Sequence, residues 1–220
     1  CSSDLALSTI VSVEVFAAGC ALVAMLVHQW WFTWVPALPG RPYARTEPGP
    51  RLARRVIVIA IDGCRADRLR EARTPHLDRL RAEGTEFTRV ATVYPARTVT
   101  AFASMLTGAP PAVHGMRSNF VPRLGVRCES VFDVLREHGM RGAIVGIAHL
   151  LDAFGERDVR TVSAVMPNEQ IDAALVDRAR RVLVEEDPEL LVLQLLSVDQ
   201  AGHAHGSYRR EYLDRIEATD

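Results

Sequence analysis

Thr98 opens a run, Thr98 to Leu106, that reads as a helix inside the stretch YPARTVTAFASMLTGAPPAVHGMRSN, Tyr94 to Asn119. A hydroxyl at a helix start can be a nucleophile, because the helix dipole favours the alkoxide. The same stretch ends in a Gly-containing turn that presents His114 and Asn119. Two carboxylates, Asp62 and Asp199, each close an apolar run, RVIVIAID and LLVLQLLSVD. Asp199 leads Asp-Gln-Ala-Gly-His-Ala-His-Gly, with His203 four residues on and Gly202 read as allowing a sharp loop. A carboxylate and an imidazole so placed can share one metal ion. A metal ion would also activate a hydroxyl that is a poor nucleophile at neutral pH. These residue types together point to metal-assisted nucleophilic attack on an anionic ester.

Each residue also has a plainer reading. Thr98 alone reads as a helix N-cap. Asp62 alone reads as half of a turn-forming Asp-Gly pair. His203 and His205 read as loop histidines. The coincidence of all three features in one chain favours the chemical reading.

The elements needed to position these residues can be read from the pattern. The six apolar residues of VIVIAI, several of them β-branched, read as a strand buried on both faces, hence a central parallel strand. Asp62 then lies at a C-terminal strand end, where open α/β sheets place their ligands. Thr74-Pro75 opens a helix that stops at Gly84. Phe87 to Tyr94 reads as a second strand, Gly142 to Ala148 as a third, and Leu190 to Val198 as a fourth. Ser130 to His138 and Asn168 to Glu186 read as amphipathic helices. Alternating strands and helices imply an α/β, doubly wound, mostly parallel sheet.

Composition sets the outer limits. Of 220 residues, 48% are hydrophobic and 24% charged, ordinary for a globular domain. The net charge of -1 gives no electrostatic reason for nucleic-acid binding. All 26 basic residues are Arg, which reads as a genome-composition bias. The four cysteines form no CxxC pair, so neither a zinc ribbon nor a disulfide framework is expected. The sequence carries no signal of oligomeric state.

Leu5 to Val27 is almost wholly apolar and long enough to cross a bilayer, with Glu14 near its centre. Trp30, Trp31, Phe32 and Trp34 follow as an interfacial aromatic belt would. The expected organisation is therefore a transmembrane helix and its interface over residues 1–35, a Pro- and Arg-rich linker over 36–54, and a catalytic domain over 55–220. Arg41, Arg45, Arg51, Arg54 and Arg55 after the span would place that domain in the cytoplasm by the positive-inside rule. The chain starts with Cys and stops inside what reads as a helix, so it is expected to be a fragment of a longer protein.

The blocks VIVIAIDGCRADRL, TPHLDRLRAEGTEF, YPARTVTAFASMLTG, HGMRSN and VDQAGHAHG, in this order and spacing, resemble the type I phosphodiesterase/nucleotide pyrophosphatase family of the alkaline phosphatase superfamily. The resemblance runs from about Arg55 to Asp220. It implies an alkaline-phosphatase-type sheet, here incomplete, and hydrolysis of phosphodiester or pyrophosphate bonds in a small phosphate ester. It implies two divalent metal ions, zinc in most members. Asp62 falls on a ligand of one metal, and Thr98 on the nucleophile that touches it. Asp199 and His203 fall on ligands of the other. Asn119 falls on the amide that binds a phosphate oxygen, and His205 on a variable loop position.

Thr100-Ala101-Phe102 replaces the Pro-Asn-His of eukaryotic members, so nucleotide specificity does not carry over. The family's Ser/Thr-Asp-His-Gly motif and last metal-binding His are expected beyond Asp220, so the fragment alone is expected to be inactive. The resemblance also implies an extracytoplasmic catalytic domain, against the local charge count. Two other functions fit the sequence less well. One is a membrane-bound phosphoethanolamine-type headgroup transferase, and the other an inactive, membrane-tethered binding module.

Overall fold

Helix α1 (Ser2–Thr33) carries the apolar N-terminal run. Its segment Thr9–His28 is long and apolar enough to cross a membrane, 20 residues at about 1.5 Å each. The side chains at positions 9–27 are all exposed, so the helix hides none of that apolar surface within its own unit. The structure is a computed structural model that describes the backbone of Ser2–Thr33 and of residues 50–119, 124–162 and 166–220; in α1, side chains are described at positions 9–28. The side chains of the aromatic belt at Trp30, Trp31, Phe32 and Trp34, and most of the 36–54 linker, lie outside the described residues. The chain divides into two units, Cys1–Pro39 and Gly40–Asp220.

The second unit alternates strands with helices. In chain order these are β1 (Val56–Ile61), α2 (Ala66–Glu71), α3 (Pro75–Glu83), α4 (Thr98–Thr107) and α5 (Pro111–His114). Next come α6 (Val131–Glu137), β2 (Gly142–Gly146), a 3-10 turn (Ala148–Leu150), α7 (Leu151–Asp158) and β3 (Val159–Thr161). The last are α8 (Asn168–Glu185), β4 (Leu190–Leu195), α9 (Ser197–His205) and α10 (Arg210–Thr219). The four strands form one parallel sheet in the order β1-β4-β2-β3.

Strand parity sorts the side chains onto two faces. Leu191, Leu193 and Leu195 of β4 and Ala143 and Val145 of β2 pack against Ile171, Leu175, Ala179 and Val182 of α8. Those four residues recur at intervals of three and four, one stripe of a helix. Leu190 and Val192 face the other way, with Ile144, and meet Phe102 and Leu106 of α4 and Phe132 of α6. Each fully buried Leu or Ile here contributes about 1.5–3 kcal/mol. The sheet is thus covered on both sides, a doubly wound α/β arrangement as expected. A separate cluster, Ala72, Val198, Ala201, Tyr212 and Ile216, ties α9 and α10 to the segment after α2.

Helix ends follow local chemistry. Ser130 and Asp133 form a reciprocal capping box at α6. At α3, Thr74 is the N-cap and Pro75 the first helical residue, as expected, but the Thr74 side chain makes no cap bond. The Asp220 carboxylate accepts instead from the backbone N–H groups of His76 and Leu77, at 2.9 and 2.8 Å.

Three expectations need correction. Among the described residues β1 pairs on one side only, with β4, and Val56, Ile57 and Ile59 are half exposed, at 50%, 50% and 58%. The fully buried central strand is β4, since an apolar run alone does not tell edge from centre. Phe87 to Tyr94 forms no strand, and Phe87, Val90 and Tyr94 are exposed. Among the described residues its β-formers have no neighbouring strand to pair with, and propensity without pairing does not make a sheet. The segment after β4 is a helix, α9, rather than a loop. Gly202 sits inside it, where added side-chain bulk would meet the Tyr212 ring at 3.3 Å.

Candidate active site

The parity of β1 decides where Asp62 points. Val58 and Ala60 pack on the α4 side of the sheet, and Asp62 continues their alternation one step past the strand end. Thr98, the first residue of α4, lines the same cavity as Asp62, and its hydroxyl favours the charged form of the Asp62 carboxylate. Thr98 is not an N-cap. That position belongs to Arg97, whose side chain makes no cap bond. Thr100, the competing hydroxyl, is fully buried and does not line the cavity described below.

Asp62 is held from two further sides. Its backbone N–H extends the β1–β4 ladder to Leu195 O at 2.9 Å. Its Oδ2 accepts from Gln194 Nε2 at 2.7 Å. Burial, first, and the nearby Asp199 charge, second, push the Asp62 pKa above the usual carboxylate value. Hydrogen bonds from Gln194, Thr98 and the Gly63 backbone oppose that rise.

Gly63 lets the second carboxylate come close. Its φ is +66°, and a Cβ there would lie 2.8 Å from both Cα and Oδ1 of Asp199. No other residue fits this turn. The Tyr212 hydroxyl pins it, donating to Gly63 O at 2.6 Å and accepting from Arg65 N–H at 3.0 Å.

Asp199 and His203 stand one turn apart on α9, which puts them on one helix face. His203 Nε2 lies 3.5 Å from Asp199 Oδ2. The start of α9 is fixed from a distance. Asp172 Oδ1, on α8, accepts from Leu196 N at 2.7 Å and Ser197 N at 3.1 Å. Its Oδ2 accepts from the hydroxyls of Ser197 and Thr219.

Asn119 closes the group. Its Oδ1 accepts from Val99 N–H at 3.0 Å, in the first turn of α4. His114, in the same loop, is a fully buried structural residue. Its Nδ1 accepts from Met116 N–H at 3.0 Å, so its Nε2–H donates to Ser104 Oγ at 2.8 Å.

Asp62, Thr98, Asn119, Asp199 and His203 all line one cavity of about 810 Å³. Tyr94, Phe102 and Met105 give it an apolar wall. His205, the last residue of α9, is exposed and outside this lining. Sequence reasoning missed Gln194, Tyr212 and Asp172, which hold Asp62, the Gly63 turn and the start of α9. A polar Gln inside the apolar run LLVLQLL was the one visible signal.

The donor types suit a divalent cation: two carboxylates, an imidazole and a hydroxyl. They are gathered as two pairs, Asp62 with Thr98 and Asp199 with His203. Among the described residues no three His, Cys, Asp or Glu side chains converge as a complete ligand set. The repulsion that Asp199 exerts on Asp62 is one that a cation between them would relieve.

Two solved structures share this fold. Phosphonoacetate hydrolase from Sinorhizobium meliloti 1021, in complex with phosphonoacetate, aligns with a TM-score of 0.54 at 18% identity, over 75% of this chain and 51% of that one. Murine ectonucleotide pyrophosphatase/phosphodiesterase 5, in an inactive form in complex with AMP, aligns with a TM-score of 0.58 at 18% identity, over 75% and 49%. The chain therefore spans about half the length of these structures. No curated protein sequence matches it. The family model for type I phosphodiesterase/nucleotide pyrophosphatase matches residues 56–167, half of the chain, a span that includes Asp62, Thr98 and Asn119. By that match the chain belongs to the type I phosphodiesterase/nucleotide pyrophosphatase family.

Proposed function

We propose that residues 55–220 are the N-terminal part of a catalytic domain that hydrolyses phosphodiester or pyrophosphate bonds, anchored to a membrane by α1. The observation that carries this reading is the Thr98 hydroxyl at the start of α4, gathered in one cavity with Asp62, Asn119, Asp199 and His203. Family membership supports phosphoester hydrolysis as the reaction class.

In this reading Thr98 Oγ attacks phosphorus, and the bond from phosphorus to the leaving oxygen breaks. The leaving group departs with a proton, and a phosphothreonine remains. Water then attacks the same phosphorus, the bond to Thr98 Oγ breaks, and the hydroxyl is restored. Asp62 orients the hydroxyl by accepting its hydrogen bond. Asn119 uses Oδ1 on Val99, so its Nδ2 is the group that can donate to a phosphate oxygen, a contact that strengthens as charge builds. Two divalent cations, zinc by family resemblance, held by Asp62 and Thr98 on one side and by Asp199 and His203 on the other, would offset phosphate charge and favour the alkoxide. The structures of the two similar proteins contain AMP and phosphonoacetate, which fits a small phosphate or phosphonate substrate. Nucleotide, headgroup and simple ester substrates are all compatible with the cavity.

The test is Thr98→Ala in the full-length protein, assayed on bis(p-nitrophenyl) phosphate. Loss of a nucleophile should lower kcat by roughly 10^3-fold or more. Turnover within a few-fold of the unaltered protein would remove Thr98 from its role.

A further inference from the structure

We propose that Gln194 is a positioning residue for Asp62: its side-chain amide sets the rotation of the carboxylate and so its readiness to take a divalent cation. This rests on the metal-dependent reading above.

Gln194 is fully buried in β4, between Leu193 and Leu195, and is the one polar residue of that strand. An amide at such a place costs stability unless both its ends are hydrogen-bonded. Both are. Ile147 N–H donates to Oε1 at 3.1 Å, and Nε2 donates to Asp62 Oδ2 at 2.7 Å. The orientation of the amide is forced, because a backbone N–H can only donate and must face the oxygen. The NH2 end is therefore turned to Asp62 by a bond that has nothing to do with the cavity.

Two further features serve the same contact. The β1–β4 register places Ala60 opposite Gln194, so Gln194 and the Asp62 that follows Ala60 by two share one face. Gly146 on β2 gives the amide its room, since a Cβ there would lie 2.7 Å from Gln194 Oε1. Gln194 itself does not line the cavity. It acts only through Asp62. Hydrogen bonds behind a ligating side chain commonly govern metal affinity by 10–100-fold.

A simpler role would be to brace β2 against β4 through the Ile147 bond. Gln194→Met separates the roles, because it removes both bonds at similar volume while zinc affinity and melting temperature are read apart. Zinc dissociation constants are measured on the full-length protein by competition with a chromogenic chelator, with Asp62→Ala alongside and thermal melts to verify folding.

The expected result is zinc binding weakened roughly 10–100-fold in Gln194→Met. Wild-type zinc affinity in a folded Gln194→Met would overturn the proposal, and a lower melting temperature with unchanged zinc affinity would mark the bracing role alone. If Gln194→Met fails to fold, Gln194→Leu is read by the same rule. Unchanged zinc affinity in Asp62→Ala would instead show that the metal reading itself is wrong.

Discussion

Val99 and Asn119, 20 residues apart in sequence, are joined by a hydrogen bond of 3.0 Å from the Val99 backbone N–H to the Asn119 side-chain oxygen. The bond settles which end of the amide is which. The first turn of α4 has donors without helical partners, and Asn119 satisfies one of them. It also ties the loop after α5 to the residue next to Thr98.

Asn119→Asp separates these two tasks. An aspartate keeps the acceptor for Val99 and loses the NH2 donor. The fold should therefore hold, with a melting temperature close to that of the unaltered protein. Turnover of an aryl phosphodiester should fall by roughly 10^2–10^3-fold, the usual cost of removing one donor to a developing anionic oxygen. Equal activity in both proteins would leave Asn119 a loop anchor only.

His114 makes the domain acid-sensitive. Burial lowers its pKa from 6.5 to about 4, so the folded state takes up a proton less readily than the unfolded chain. Its contribution is then fully present above about pH 6.5 and is lost as the pH falls towards 4. At about pH 5 the loss from this residue alone is about 2 kcal/mol. Urea unfolding at neutral pH and at about pH 5, compared between the unaltered protein and His114→Gln, should show a shallower pH dependence in the variant.

Asp172 holds the start of α9 with four hydrogen bonds and so should be costly to truncate. Asp172→Ala leaves two backbone N–H groups and the Ser197 hydroxyl without their acceptor, while Thr219 keeps Arg215 O, and is expected to lower stability by about 2–4 kcal/mol. Asp172→Asn retains an oxygen for the two N–H groups and lets the hydroxyls turn, so about 1 kcal/mol or less is expected. Hydrogen exchange of the α9 amides should rise in the alanine variant first. Uniform exchange across all helices would show that Asp172 serves general packing instead.

Much of this site is legible in the sequence because its residues sit at element boundaries. Asp62 follows six apolar residues, Thr98 precedes a Gly-terminated helical run, and strand ends and helix starts leave marks of their own. The helix α9 was hidden because its first N–H groups are satisfied by Asp172, 24 residues upstream of Leu196, while Gly202 looked like a turn. The pairing of β1 with β4 was hidden because strand order depends on partners that VIVIAI does not encode. Tyr212 and Gln194 are ordinary residue types whose role depends on partners 149 and 132 positions away.

The two-sided sheet carries one more consequence. Val58, Ala60 and then Asp62 share a face with Leu190, Val192 and Gln194, while Ile61 and Leu195 turn to the opposite side. Strand parity alone therefore puts Asp62 and Gln194 on the α4 side of the sheet, although both faces carry core. Losing one residue within β1 would rotate Asp62 into the oil behind the sheet and swing Ile61 towards Thr98, with every strand still hydrogen-bonded. The position of Asp62 therefore depends on how many residues β1 has as well as on which they are.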